Sequence, residues 1–385
     1  MARKLSSFLL ALIGALVASE LILRSRYPLD QRLFALDPEL LYAPIPDARN
    51  LLRMPDGRMV LTELNSRGHR GNELESPKEG IRIAVFGDSL VMAENVPLHQ
   101  TFAERLGGLA SAARERPVEV VNAGVTGYGP DQVLMKMRRE VRGLDADVLI
   151  VVLCAANDFG DLLHNKLFRL TPDGVEVNSP VLDDSIRARF AESEERAERF
   201  ALTRAYDAWR QPPAVPAAPY DYIGEYLRGA ELEYREWIDA KSERVVFLMQ
   251  DYYDADIAIR PESLSAQLKI GLMYGVLGEM RELAAEHELP LLAVVVPCAV
   301  DVDPTFGIRV DPAVHPTYDP GRLTGQLMVL LEALGVETLD LTSDFAEGKG
   351  PLFEGGEDFH WNAAGQMLSA RRTLEELLER GLLPD

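Results

Sequence analysis

Cysteine is nearly absent. Cys154 and Cys298 are the only two in 385 residues, and neither belongs to a CxxC or Cys/His pattern. They are too few for a disulfide scaffold, and no structural zinc is expected. Both are read as buried thiols at strand ends, with a disulfide between neighbouring strand ends as the alternative. Positive charge is also scarce. The 40 Lys and Arg stand against 61 Asp and Glu, a net charge of −21 with no Lys/Arg-rich run to offset it, so the footprint of a nucleic-acid binder is missing. No fixed-period repeat is visible. What remains is ample apolar material, 47% of the chain against 26% charged, enough for one large domain with insertions or two smaller ones.

The N-terminus departs from this globular composition. Arg3 and Lys4 precede an apolar run over 5–17 that resumes at Leu21 and stops at Arg24. Residues 1–24 are read as a membrane anchor, because the run approaches the roughly 20 residues a spanning helix needs and continues past Glu20. The alternatives are a signal peptide cleaved before Glu20 and an amphipathic core helix. On either export reading the bulk of the chain lies outside the cytoplasm, periplasmic or extracellular. No lipid-anchoring cysteine follows the run.

A lead-in region over 36–75 carries a hairpin turning at Pro55-Asp56-Gly57. From 80 to 385, strand and helix patterns alternate. Strands are expected over 81–86, 118–121, 148–153, 291–296 and 336–341, with helices over 101–114, 131–144, 263–287, 323–334 and 363–380. Apolar strands separated by helices predict a parallel, flavodoxin-like sheet in a three-layer α/β/α sandwich. A long insertion over 159–262 follows the third strand. It holds a second turn at Pro172-Asp173-Gly174, a charged helical stretch over 186–210, a Pro/Ala linker over 211–219 and many aromatics, among them Tyr220, Tyr222, Tyr226, Trp237, Tyr252 and Tyr253. An insertion of this length suits a lid or substrate surface, or else a helical excursion packed on the sheet. Its aromatic residues suit either sugar stacking or core packing.

The chemistry gathers where strands end. Gly87-Asp88-Ser89 follows the first strand, which places Ser89 as an exposed hydroxyl at the carboxyl edge of the sheet. A serine needs a base and an orienting carboxylate to attack, and Asp358-Phe359-His360 offers both before the last helix. Gly124 closes the second strand and Asn157 the third, positions suited to oxyanion donors or to ordinary turns. Asp88 and Asn362 are read as helix or turn caps. His69, His99, His164, His287 and His315 show no metal-ligand spacing and are read as surface or loop residues.

These four blocks, Gly87-Asp88-Ser89, Asn122-Ala123-Gly124, Asn157-Asp158 and Asp358-x-His360-x-Asn362, resemble in order those of the SGNH (GDSL-type) hydrolase superfamily, over 81–382. The resemblance implies the SGNH hydrolase fold, with Ser89 as nucleophile, His360 as base and Asp358 as its support. It also implies an oxyanion hole from the Ser89 and Gly124 backbone and the Asn157 amide, with no metal or organic cofactor. Two departures stand out. Ala155 replaces the usual glycine of the third block, and Glu357 occupies the place of the aspartate in the usual Asp-x-x-His, which makes Glu357 the alternative support. The expected activity is that of an exported serine esterase cleaving acetyl esters, on carbohydrate such as acetylated polysaccharide. The alternatives are an O-acyltransferase on envelope polysaccharide and a non-catalytic envelope-binding protein that retains the fold.

Overall fold

The computed structural model describes residues 2–29, 31–210, 222–238, 243–246, 248–249 and 253–384. The Pro/Ala linker, Tyr220 and Tyr252 lie outside the described residues. The apolar start forms one helix, α1 (Ala2–Arg26), whose 25 residues are long and apolar enough to cross a membrane. None of the apolar window of α1 is buried against the rest of the chain. Two hairpins follow rather than one, Phe34–Asp37 with Leu41–Pro44 and Arg49–Arg53 with Met59–Glu63, the second turning at Pro55-Asp56-Gly57 as expected.

The centre is a five-stranded parallel sheet of β1 (Ile81–Phe86), β2 (Val118–Asn122), β3 (Val148–Cys154), β4 (Leu291–Val296) and β5 (Glu337–Asp340), in the order β2-β1-β3-β4-β5. This is the flavodoxin-like order. Crossovers between parallel strands are right-handed, so reversing direction across the sheet moves the connecting helix to the other face. The step from β1 to β2 runs one way and carries α2 (Phe102–Arg114); the later steps run the other way and carry α3 (Pro130–Leu144), α4 (Leu264–Glu286) and α5 (Arg322–Leu334). The last helix, α6 (Ala363–Glu379), returns to pack on α2. Three layers result. All of β1 and β3 is buried, as a sheet covered on both faces requires. Arg82, the one charge in β1, is satisfied by Glu119 at 2.5 Å and by the carbonyls of Leu144 and Glu75, each at 2.6 Å.

The insertion is mostly helical, with helices Asp158–Asn165, Asp184–Glu198, Ala201–Arg210 and Tyr222–Ile238 and a hairpin, Phe168–Thr171 with Gly174–Val177. The charged stretch expected as one helix is two, broken at Arg199, whose extended ψ of 159° ends the first. Buried charge fastens the insertion. Lys269 on α4 is fully buried and donates to Asp254 at 2.7 Å and Asp256 at 2.9 Å. Asp254 also accepts from the Gly160 amide at 2.9 Å. Two histidines read as surface residues are in fact buried, because each has carboxylate partners. His69 meets Glu140 at 2.8 Å, and His164 meets Glu233 at 2.6 Å and Asp161 at 3.6 Å. Both cysteines are buried free thiols.

Removing one partner from a buried ion pair strands the other charge. Lys269→Met, which leaves Asp254 and Asp256 without their cation, should therefore lower unfolding stability by about 3–5 kcal/mol, read as a shift in urea midpoint with unchanged slope. His164 offers a second expected outcome. Burial alone would depress its pKa, but Glu233 and Asp161 outweigh it and raise it to about 9 from the ordinary 6.5. A cation held this way stabilises the fold fully below the unfolded pKa, and the contribution disappears as pH rises through about 9. The stability difference between wild type and His164→Gln should shrink by on the order of 3 kcal/mol between neutral pH and pH about 9.5. A difference independent of pH would show that His164 is neutral in the fold.

Candidate active site

Three strand ends converge on one short helical turn, Ser89–Met92. Asp88 caps it by accepting from the Leu90 amide at 2.8 Å. Gly87 and Gly124 let the turn approach closely: a Cβ on Gly87 would lie 2.6 Å from Val91 Cγ2, and one on Gly124 would lie 2.5 Å from Val91 Cβ and 2.6 Å from the Met92 amide. Side-chain and backbone bonds tie the same turn to β2, with Asn122 Nδ2 donating to the Val91 carbonyl at 2.8 Å and the Val125 amide to the Gly87 carbonyl at 3.0 Å.

His360 arrives from the other end of the chain on a hairpin, Phe353–Gly355 with Asp358–Trp361, that the sequence pattern does not announce. Along a strand, alternate residues share a face. Asp358 and His360 therefore point the same way, while Trp361, on the other face, is fully buried in the core. The placement is locked from several sides. Asn95 Nδ2 donates to the Trp361 carbonyl at 2.8 Å and to Glu354 at 2.9 Å, Gln366 Nε2 to the Leu90 carbonyl at 3.2 Å, and the Phe102 amide to Gln366 Oε1 at 2.6 Å. Asn362 caps α6 by accepting from the Ala364 and Gly365 amides.

The result is a continuous hydrogen-bonded chain. His360 Nδ1 lies 2.6 Å from Asp358 Oδ1 and Nε2 lies 2.7 Å from Ser89 Oγ. Burial would raise the Asp358 pKa, but the bond and charge of His360 hold it below its ordinary value. Glu357 is elsewhere. It sits in the hairpin turn beside Gly355 and Gly356, both at positive φ, and accepts from Tyr222 Oη at 2.7 Å. It is thus not the partner of His360 but an exposed turn residue, as expected, which the insertion reaches over to engage. Ser89 also differs from expectation. Its hydroxyl is not exposed; the residue is 3% accessible, because the turn is wedged against the strand ends and the imidazole covers it.

Asn157 lies in the turn three residues past the end of β3 and is the N-cap of the helix Asp158–Asn165. Its Nδ2 donates to Asp161 Oδ2 at 3.0 Å, which leaves the amide one further hydrogen to offer. Asp161 in turn faces His164. This line of Asn157, Asp161, His164 and Glu233 escaped sequence reasoning, although positions 157, 161 and 164 carry the i, i+4, i+7 signal of one helix face. The Gly124 amide, the other expected donor, is held by Asn122 Oδ1 at 3.2 Å. The site is rich in buried acid: burial, Asp88 and Asp161 together push Asp158 well above the carboxylate range. Glu94, five residues past Ser89, was also missed. Burial raises its pKa, it accepts from Thr126 Oγ1 at 2.6 Å, and it lines a cavity of about 320 Å³ with Phe34, Arg189, Phe190 and Met249.

No protein-family model matches the sequence, and no curated protein matches it. Among solved structures, the chain is similar to a lipase/acylhydrolase from Enterococcus faecalis, with 12% identity, a TM-score of 0.39, and 78% of this chain and 96% of that one covered. It is similar to TesA at 13% identity and a TM-score of 0.37, over 78% and 99% of the two chains. A third likeness is to Axe2, an acetylxylan esterase from Geobacillus stearothermophilus, at 14% identity and a TM-score of 0.38, over 78% and 94%. Likeness at this level assigns neither family nor substrate, so what the site does must be argued from its own geometry.

Proposed function

We propose that the chain is an exported, membrane-tethered serine esterase of the SGNH type, acting on acetyl esters of carbohydrate through an acyl-enzyme on Ser89. The observation that carries this reading is the chain of two short hydrogen bonds from Asp358 through His360 to Ser89. In the proposed reaction, Ser89 Oγ attacks the ester carbonyl as His360 Nε2 takes its proton. Asp358 keeps the other ring nitrogen protonated and stabilises the imidazolium that forms. The developing oxyanion meets the remaining Asn157 amide hydrogen and the Ser89 backbone amide, with the Gly124 amide shared from Asn122. His360 then returns the proton to the leaving alcohol, and a water, deprotonated by the same imidazole, releases the acid. A sugar hydroxyl in place of that water would make the chain an O-acyltransferase.

The carbohydrate assignment draws support from the aromatic residues beside the site. Tyr222 and Tyr226 stack with ring centroids 6.3 Å apart, Tyr226 lies 6.5 Å from Tyr253, and Tyr222 holds the turn that leads into Asp358. The tether assignment draws on α1, which would keep the enzyme at the cell envelope.

Ser89→Ala should abolish both labelling by a fluorophosphonate probe and hydrolysis of short-chain aryl esters, while circular dichroism stays unchanged. Labelling of the folded variant would remove Ser89 from the chemistry. The two carboxylates before His360 are separated by turnover on one soluble ester. Asp358→Asn should lower it by roughly three to four orders of magnitude, because the wrong tautomer is then favoured, whereas Glu357→Gln should stay near wild type. The reverse result would assign the support to Glu357.

A further inference from the structure

The helix Ala201–Arg210 carries an apolar stripe that the esterase reading leaves unused. Leu202, Tyr206 and Trp209 fall at i, i+4 and i+7 and so share one face. Tyr206 is 53% exposed and Trp209 76%, and Phe200, just before the helix, is 69% exposed. Ala201 and Arg204, on another face, are buried. The Tyr206 and Trp209 rings lie 6.1 Å apart, with the Arg210 guanidinium 5.6 Å from the Tyr206 ring. Large aromatic side chains open to water at helical spacing mark a surface that meets something else.

The neighbour of this helix says what that is. Glu20 is the only acidic residue of α1, and its carboxylate accepts from the Ala201 amide at 2.9 Å and the Leu202 amide at 3.2 Å. It thereby caps the first turn of the insertion helix, where backbone donors have no partners within the helix. Arg24 reinforces the joint, donating to Glu20 at 2.6 Å and to the Arg199 carbonyl at 3.4 Å. From Lys4 to Arg24 the helix rises about 30 Å, the thickness of a hydrocarbon core, so with Lys4 at one boundary Arg24 falls at the other and Glu20 one turn inside it. That is the depth at which Trp and Tyr gather and Arg extends to water.

We infer that the helix Ala201–Arg210 is an interfacial element whose partner is the lipid surface: Phe200, Leu202, Tyr206 and Trp209 lie in the headgroup region of the bilayer that holds α1, at a depth set by Glu20. The inference rests on α1 being a retained anchor. It gives the insertion a second attachment to the membrane, and it gives Glu20 a purpose inside an otherwise apolar segment.

The test uses the full chain in vesicles of phosphatidylcholine and phosphatidylglycerol whose acyl chains are brominated near the headgroup, with tryptophan emission as the readout. Bromine should quench a component of the emission that is missing in Trp209→Phe, because Trp361 is fully buried and Trp237 is half-buried against the core. Glu20→Ala should reduce that component by about twofold or more while the chain still resists extraction by alkaline carbonate. Equal quenching of wild type and Trp209→Phe, in a chain that carbonate does not extract, overturns the inference and leaves the anchor intact. A mature chain that begins at or after Glu20 overturns the anchor, and the inference with it.

Discussion

The candidate site depends on how closely the turn Ser89–Met92 approaches the carboxyl ends of β1 and β2. Backbone can come this near only where no Cβ intervenes, at Gly87 and Gly124. The approach puts the Ser89 amide and hydroxyl beside the ends of neighbouring strands, where Asn122 and Asn157 also emerge. A methyl group at either glycine would push the turn outward and separate Ser89 from His360, whose place is set independently by the hairpin and by Trp361. The bonds from Asn95 and Gln366 across to the last hairpin and α2 make that second placement rigid.

Burial then governs the electrostatics. Acidic groups crowd behind the site, and the structure answers them in three ways. Asp158, buried and beside Asp88 and Asp161, is pushed toward its protonated form. Asp254 and Asp256 share Lys269, and even so burial leaves Asp254 raised to about 7. Asp161 is balanced by His164, which Glu233 on the insertion helix Tyr222–Ile238 also holds. The same ion pairs that pay for these charges join the insertion to the sheet, so the amide of Asn157 is oriented by a line of groups that ends on the insertion.

Much of the architecture was legible because it depends on patterns that the chain carries locally. Apolar runs of β-branched residues separated by amphipathic stretches imply a parallel sheet, and handedness then distributes the helices over its two faces. The residues of the candidate site were legible for the same reason: Ser89, Gly124 and Asn157 lie within three residues of a strand end, and an open α/β sheet gathers its chemistry at those ends. The i, i+2 spacing of Asp358 and His360 was visible too, but its meaning was not. Only the hairpin reveals that this spacing lies on a strand, where two residues apart means one face.

What the sequence by itself determined about this protein is therefore the order of its elements and the edge of the sheet at which its polar residues collect. Tertiary structure alone decided which of those residues touch. Glu357 and Asp358 are adjacent in the chain, yet one meets Tyr222 and the other His360, because a turn separates them. His69 and His164 look like surface residues until distant carboxylates neutralise the cost of burying them. Ser89 reads as an open hydroxyl until an imidazole from 271 positions away covers it. Contacts of that range arise from the packing of whole elements, and no local pattern of residues encodes them.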